Sequence, residues 1–423
     1  MFEPVRNAFN IPELRKKILY TIGLLLVFRV GAYVPVPGVD AAALASQLGL
    51  DGGNIFGFLD LFAGGALSRF SIFAMGVGPY ITASIIMQLL TVVIPQLEEL
   101  AKEGGVEGRR KIADYTRYAT VVLAVIQGLG ITMLARNYNV LLTGGTFSMV
   151  LIVVTLTAGT SLLMWLGEKI SENGIGNGIS LIIFVGIVAG LPFQVVQAVQ
   201  GVIAGVISPI SLVLFFLLAI GVVAGVIMIQ EGQRRVPVQY AKRVVGRRQY
   251  GGQSTYIPLR VNQAGVIPVI FASSVLAFPL TIAQFIPALR GLSRFVGYGT
   301  VGYNILYVAL TMFFTYFYTA VTFNPREVAD NMKKWGGFVP GLRPGRPTAQ
   351  YLDRILTRLT LAGAIFLALI AVLPYVMAGV TRMPPGMLYF GGTSVLIAVG
   401  VALDTVKQIE SHLLMRHYEG FMK

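Results

Sequence analysis

Ten long apolar runs constrain the fold of this chain more than any other feature. A helix that crosses a bilayer needs about 20 mainly apolar residues, and ten stretches of roughly that length occur in the 423-residue sequence. They lie near residues 18–35, 71–93, 116–135, 149–167, 176–194, 209–230, 264–283, 304–323, 355–374 and 390–409. Only 12% of the residues are charged, which is about half the fraction found in a soluble domain. The sequence therefore predicts an all-α membrane protein with ten transmembrane helices.

The basic residues predict the orientation of these helices. The chain carries 33 Lys and Arg against 19 Asp and Glu, which gives a net charge of +14. A high positive charge is typical of nucleic-acid binding, but 27 of the 33 basic residues fall at the termini and in alternate loops, on one predicted side. Loops rich in Lys and Arg face the cytoplasm. We therefore expect both termini and the two basic loops, at residues 231–263 and 324–354, to be cytoplasmic.

Few polar groups suited to catalysis or ion coupling occur in the predicted spans. Arg29 is the only charged residue well inside a span, whereas coupled transporters need ionisable groups at membrane depth. The chain has no cysteine, and the spacing of His412 and His417 is poor for two ligands on one helix face. Glu168 and Glu172 are the closest paired carboxylates, at a predicted cytoplasmic helix end. We therefore predict no metal site, no cofactor and no enzymatic activity, with a secondary transporter of small solutes and a membrane-embedded enzyme as the alternatives.

Glycine and proline interrupt several of the spans. Such residues are tolerated at membrane depth where protein or a water-filled cavity satisfies the freed backbone groups, or they allow helices to pack closely. Both interpretations are open for the residues in and beside spans two, five, seven and ten: Gly76, Gly78, Pro79, Gly174, Gly176, Gly178, Pro268, Gly391 and Gly392. Residues 55–70 are apolar, too short to span the membrane, and run directly into the second span. This segment predicts a re-entrant half-helix, which favours a cavity.

Two runs carry a family resemblance: SIFAMGVGPYITASIIMQLL at 71–90 and WLGEKISENGIGNGISLII at 165–183. They resemble the signature segments of the SecY family, the channel-forming subunits of bacterial protein translocases. Further similar segments follow in order, including EGRRKIADYTRY, EGQRRVPVQYAKR and FVPGLRPGRPTAQYLDRI. The resemblance implies two pseudo-symmetric five-helix halves, an inverted repeat at residues 1–200 and 201–423, with a re-entrant plug helix at 55–69. It implies a channel that translocates unfolded polypeptides and releases transmembrane segments into lipid through a lateral gate.

The resemblance also assigns residues to the pore and the plug. It implies a pore ring of aliphatic side chains at Val77, Ile81, Ile179, Ile183, Ile270 and Ile397. It implies that the plug contains Ile55, Phe58, Leu61, Phe62, Gly64, Gly65 and Arg69. Aliphatic walls offer no hydrogen-bond partner to a passing chain, and a narrow dry constriction impedes ions. Without the resemblance, isolated isoleucines in such helices would be interpreted as facing lipid or the core.

The remaining assignments concern the gate and the docking surface. Gln88, Gln127 and Ser274 lie in the spans that the resemblance assigns to the lateral gate. Hydrogen bonds among them would hold the gate shut, or each would satisfy a local backbone group. The resemblance makes the basic loops a docking surface for the SecA ATPase and the ribosome, whose RNA would meet arginines through phosphate contacts; the candidates are Arg247, Arg248 and Arg343.

The resemblance implies further partners and a location. The partners are the small subunits SecE and SecG, precursors of secreted and membrane proteins, and the lipid bilayer. The implied location is the bacterial inner (plasma) membrane, crossed several times.

Overall fold

The computed structural model describes residues 8–48, 57, 60, 62–102, 104–142, 145–240, 243–245, 248–250, 254–285, 297, 300–381 and 392–421. Within these residues the chain is mostly helical, as predicted. The helices are α1 (Pro12–Gly31), α2 (Ala41–Leu48), α3 (Gly78–Val93), α4 (Pro95–Lys102), α5 (Gly105–Asn137), α6 (Thr146–Asn173), α7 (Gly178–Ile203), α8 (Pro209–Glu231), α9 (Ile267–Phe285), α10 (Val301–Thr322), α11 (Pro325–Lys334), α12 (Arg346–Thr381) and α13 (Thr393–Phe421). A helix therefore overlaps each of the ten predicted spans.

Several of these helices are long and apolar enough to cross a membrane. In the described chain six pass by length and composition: α5, α6, α7, α8, α10 continued into α11, and α12. A seventh passes if α3 and α4, which meet at a bend of 100°, form one span. α9 is a shorter apolar helix, and α1 begins with the charged residues Arg15, Lys16 and Lys17. The chain is thus a multi-pass membrane protein.

The start of the second span differs from the prediction. The sequence predicts a helix from residue 71, but α3 begins at Gly78 and residues 71–77 form turns. Gly76 has φ +56°, a left-handed conformation that a right-handed helix does not contain. The Ser71 hydroxyl oxygen accepts a hydrogen bond from the Phe73 N–H at 3.3 Å. Local backbone geometry therefore shortens an apolar run that would otherwise favour a longer helix.

A small antiparallel sheet shows that the fold is not purely α-helical. The strands are β1 (Gln233–Tyr240), β2 (Arg243–Val245), β3 (Arg248–Tyr250), β4 (Ser254–Arg260) and β5 (Gly337–Phe338). One sheet has the order β4-β1-β5, with Val236 opposite Ile257 and Gln239 opposite Phe338, while β2 pairs with β3. Val236 and Val238 are buried while their neighbours on β1 are exposed, as expected for a strand with one covered face.

This sheet joins the two predicted basic loops into one body. Buried side chains from both loops form a single apolar cluster: Val236, Val238, Leu259, Met332, Val339, Leu352 and Ile355. Helix α11 packs on α12 and on β5. At the start of α11, the Asn324 side chain accepts hydrogen bonds from the N–H groups of Arg326 and Glu327, which satisfies two donors that a helix start leaves free. We call this unit, residues 233–260 and 324–356, the basic platform.

The long helices pack in two groups that meet along a few contacts. In the first part of the chain α3 packs on α5, α5 on α6, α6 on α7, and α1 on α6 and α7. In the second part α9 packs on α10, α10 on α12, and α8 on α12 and α13. The groups meet where α9 contacts α3 and α5, and where α7 contacts α8 and α13. One large buried apolar cluster includes residues from both groups, so the core lies between them.

Candidate functional site

A short segment between α2 and α3 folds around the side chain of Asp60. Its carboxylate oxygen Oδ1 accepts hydrogen bonds from the N–H groups of Leu67 at 2.8 Å and Ser68 at 3.0 Å. Burial raises the pKa of the Asp60 carboxyl, although the hydrogen bonds from Ser68 and Leu67 act in the opposite direction. Gly64 and Gly65 have φ +68° and +79°, left-handed values that favour glycine. The backbone here therefore makes a tight turn that one aspartate closes.

This turn lies against three neighbouring elements at close range. A Cβ atom built on Gly64 would lie 2.9 Å from Gly186 Cα of α7, and one built on Gly186 would lie 3.2 Å from Gly64 N. A Cβ on Gly76 would lie 3.4 Å from Ala63 Cα. The third neighbour is α1, where Arg29 Nη1 donates a hydrogen bond to the Gly64 carbonyl at 2.9 Å. The segment is thus held by backbone-to-backbone contact, which only small residues permit.

The predicted plug residues fall partly within the described structure. Phe62 is half-buried, Gly64 is buried and Arg69 is exposed. Arg69 Nη1 donates to the Gly65 carbonyl at 3.3 Å, and its Cζ lies 4.3 Å from the centroid of the Tyr33 ring. Ile55, Phe58 and Leu61 lie outside the described residues.

The predicted pore-ring residues come from four elements. Val77 and Ile81 lie at the start of α3, Ile179 and Ile183 in the first turns of α7, Ile270 in α9 and Ile397 in α13. Five are buried, and Ile179 is half-buried with its Cδ1 packed directly on Gly167 of α6. All six belong to the large core cluster or pack against it, and the same cluster includes Ala63, Ala66 and Leu67 of the turn segment. Aliphatic side chains from both helix groups therefore share one core cluster with the segment predicted as the plug.

The predicted gate residues Gln88, Gln127 and Ser274 lie on α3, α5 and α9, and α9 contacts both of the other helices. Gln88, Gln127 and Ser274 are all half-buried. In the part of the chain that the structure describes, no hydrogen bond joins these three side chains to one another. Nearby, Phe271 of α9 makes edge contacts with Phe314 and Tyr318 of α10, with ring centroids 5.8 and 6.4 Å apart. Aromatic rings of α9 and α10 therefore pack against each other in this region.

Of the predicted docking residues, Arg343 lies on the part of the basic platform that the structure describes. Arg343 is exposed in the turn between β5 and α12, flanked by Gly341 and Gly345 with φ +82° and +97°. Thr348 Oγ1 donates to the Arg343 carbonyl at 2.9 Å, so the main chain is fixed while the guanidinium points away from the platform core. Arg248 opens β3, and its side chain is outside the described part, as is Arg247.

The glycine-rich segment after α6 ties together the two helix groups. The N–H of Ile175 donates to Thr21 Oγ1 of α1 at 3.0 Å, and that of Gly176 donates to Gln408 Oε1 of α13 at 2.5 Å. A Cβ on Gly178 would overlap the Gly167 carbonyl. Close packing is therefore the correct interpretation of this glycine, and it was left open by the sequence.

Sequence reasoning missed Asp60, Gly186, Thr21 and Gln408. A glycine in the middle of an apolar span, such as Gly186, signals a close approach, but it does not identify the neighbour.

These elements define a multi-pass, mostly helical membrane protein with a short glycine-containing segment packed into its core. The family model for SecY matches residues 71–406. The chain belongs to the SecY family. It is 49% identical over 441 aligned residues to the Protein translocase subunit SecY of Corynebacterium glutamicum, covering 99% of both chains. It is 48% identical to the protein of the same name from Streptomyces coelicolor, covering 100% of both chains.

Solved structures share this fold at low sequence identity. One described as a protein conducting channel has a TM-score of 0.67 at 19% identity, covering 93% of this chain and 91% of that one. A second concerns the plug domain of the SecY protein, said there to stabilise the closed state of the translocation channel, with a TM-score of 0.63, 19% identity and the same coverage. Sec61 in a canine ribosome-channel complex has a TM-score of 0.62, 19% identity and again that coverage.

Proposed function

We propose that the protein is the channel-forming subunit of a bacterial protein translocase, which conducts unfolded polypeptides across the membrane. The observation that carries this proposal is near-half identity, over the whole length of both chains, to curated translocase subunits. The fold shared with a protein conducting channel supports it.

In this channel the ten helices that overlap the predicted spans all cross the membrane, in two five-helix halves that meet near residue 200. The helix contacts support such a division, because most of them fall within one half or the other. The pore runs between the halves and is constricted by Val77, Ile81, Ile179, Ile183, Ile270 and Ile397. Aliphatic side chains suit a polypeptide conduit because they make no directional bonds with the passing chain and a dry constriction impedes ions.

Residues 55–69 act as the plug that seals this constriction. The burial of Ala63, Ala66 and Leu67 in the cluster that holds the ring residues supports this role. Opening requires the plug to leave its contacts with α1, Gly76 and α7.

The lateral gate lies between α3 and α5 on one side and α9 and α10 on the other. A gate closed mainly by apolar contact suits release into lipid, because an apolar helix of a precursor can replace one apolar surface with another. Gln88, Gln127 and Ser274 then line the gate without bonding to one another.

Both termini and the basic platform face the cytoplasm of a bacterium, with the channel in the inner (plasma) membrane. Arg343, with Arg247 and Arg248, contacts SecA or ribosomal RNA, and SecE and SecG bind along the helices. The solved Sec61 structure in a ribosome-channel complex supports the ribosome as a partner.

A secondary transporter of small solutes is the weaker candidate. The full-length relatives are translocase subunits, and the predicted ring positions are aliphatic. The paired carboxylates considered for an enzyme are engaged in ion pairs, Glu168 with Arg117 at 2.8 Å and Glu172 with Lys169 at 2.7 Å.

Cross-linking of a stalled precursor tests the proposal. A photoreactive residue at Ile81 or Ile397 is expected to cross-link to a secretory precursor arrested during export. The same residue at Leu217, an exposed position on α8, is the control and should label lipid or a neighbouring subunit. Failure of every ring position to cross-link while the precursor is arrested would contradict the proposed pore.

A further inference from the structure

Arg29 occupies an unusual position for a charged residue. It lies in the last turn of α1 and is half-buried, next to the fully buried Phe28. A charged side chain at membrane depth is costly and is found where a partner or a water-filled cavity compensates it. Because Arg29 lies in a predicted span, its guanidinium is expected to have a specific hydrogen-bond acceptor within the protein.

Arg29 has two acceptors: the backbone of the plug segment and, four residues along its own segment, the Tyr33 hydroxyl, to which Arg29 Nη2 donates at 3.5 Å. Arg29 Nη1 donates to the Gly64 carbonyl at 2.9 Å, across 35 residues of sequence. The Arg29 guanidinium also lies 5.6 Å from the centroid of the Tyr33 ring. A Cβ on Gly64 would lie 3.0 Å from Arg29 Nη1, so the absence of a side chain at this position lets the guanidinium approach the carbonyl.

The end of α1 and the residues after it are bonded to the chain that follows the plug. Arg29 therefore belongs to the part of the protein against which the plug packs. The Val36 N–H donates to the Phe70 carbonyl at 2.9 Å, and the Ile72 N–H donates to the Val34 carbonyl at 3.0 Å. The ring of Phe28 stacks on that of Phe73, with centroids 6.0 Å apart. Displacement of the plug from the core would therefore have to break the bond between Arg29 and Gly64.

This bond differs in kind from the van der Waals contacts of the plug. Gly186, Gly76 and the core cluster hold the plug by van der Waals contact, which is short-ranged and non-directional. A hydrogen bond from an ionised donor is stronger than a neutral one and depends on direction. It is thus lost at once when the plug moves, which favours two discrete states over a gradual opening.

We infer that Arg29 is a positioning residue that latches the plug in the closed channel through the Gly64 carbonyl. The inference rests on the proposed function, since it assumes that residues 55–69 seal a pore. It predicts that the precursor-free channel opens more often when Arg29 cannot donate. It also predicts that a channel already opened by a precursor does not depend on Arg29.

Single-channel recording of the complete translocase in planar bilayers tests the latch. Arg29→Gln, whose neutral side chain is too short to reach the Gly64 carbonyl, is expected to raise the open fraction of precursor-free channels about tenfold, which corresponds to about 1.4 kcal/mol. Arg29→Met, which keeps an apolar stem, should do the same and carries the test if the Gln variant fails to assemble. Arg29→Lys, which keeps one charged donor, should fall between them and the unmodified channel. Conductance with an arrested precursor should be equal in all of them.

Arg136→Gln is the matched control. Arg136 is an exposed arginine on the same predicted side, with Nη1 3.7 Å from Met149 Sδ, so its loss changes the same charge without touching the plug. Deletion of residues 58–66 tests the proposed plug separately from the proposed latch. If the deletion raises the open fraction but Arg29→Gln and Arg29→Met do not, the proposed latch is wrong, whereas the proposed role of the plug is still supported.

A variant that combines Arg29→Gln with the deletion of residues 58–66 tests whether both changes act through the same contact. Arg29→Gln added to the deletion should produce no further opening, because the acceptor is already gone. An additive effect would show that Arg29 acts elsewhere and would overturn the latch. If the deletion itself leaves the open fraction unchanged, the proposed plug is wrong, and the latch is refuted with it.

Discussion

The contact between Gly186 and the plug allows a sharp prediction about channel closure. A Cβ on Gly186 would lie 3.1 Å from the Phe62 carbonyl oxygen and 3.2 Å from Gly64 N. Gly186→Ala therefore requires a shift of a few tenths of an ångström, and overpacking of this kind costs about 1 kcal/mol. Gly186→Val adds two more carbons to the same space and is expected to cost up to about 3 kcal/mol.

This cost falls on the closed channel alone. Replacing a helical glycine with alanine stabilises the helix by up to about 1 kcal/mol, but this gain cancels in gating when the plug moves and α7 stays helical. The steric cost of the added side chain to the closed channel remains. The precursor-free open fraction should rise about fivefold for Gly186→Ala and up to about a hundredfold for Gly186→Val, measured by single-channel recording.

Gly221→Ala on α8 is the matched control, because nothing lies within 4 Å of a Cβ at that position. It has the same effect on helix propensity and should leave the open fraction unchanged. The reasoning would be refuted if Gly186→Val closed as tightly as the unmodified channel while deletion of residues 58–66 caused a leak.

Three further predictions concern the turn and the platform. Asp60→Ala leaves two buried N–H groups without an acceptor, at a cost of about 1–3 kcal/mol, and should increase the leak; Asp60→Asn keeps the oxygen and should not, and equal leaks would refute the capping role. Leu352→Ala removes a fully buried side chain from the platform core and should cost about 2–5 kcal/mol, seen as faster proteolysis of the platform alone; unchanged resistance would contradict it. Arg343→Glu should abolish SecA-driven export in a folded protein, since Thr348 bonds only the main chain there; normal export would count against the docking role.

The positions of the helices were predictable because each depends on a local run of apolar residues. The second span was expected to begin near residue 71 but begins at Gly78; the sequence marked Gly76 as a break in the run, but not the left-handed conformation that it adopts. The sheet was missed although Val236 and Val238 share one face of β1, since only these two residues of the strand are buried and its partner β5 lies far along the chain. A strand with only two or three apolar residues is stabilised by its partners rather than by its own sequence.

The sequence by itself was enough to predict that this chain is a membrane protein, on which side its basic loops lie, and which family it resembles. These properties depend on composition, run length and local motifs. Tertiary structure alone decided that the two basic loops fold as one platform, that Gly186 meets Gly64, and that Arg29 bonds to the Gly64 carbonyl. Such contacts join residues remote in sequence, and which donor meets which acceptor depends on how whole helices pack.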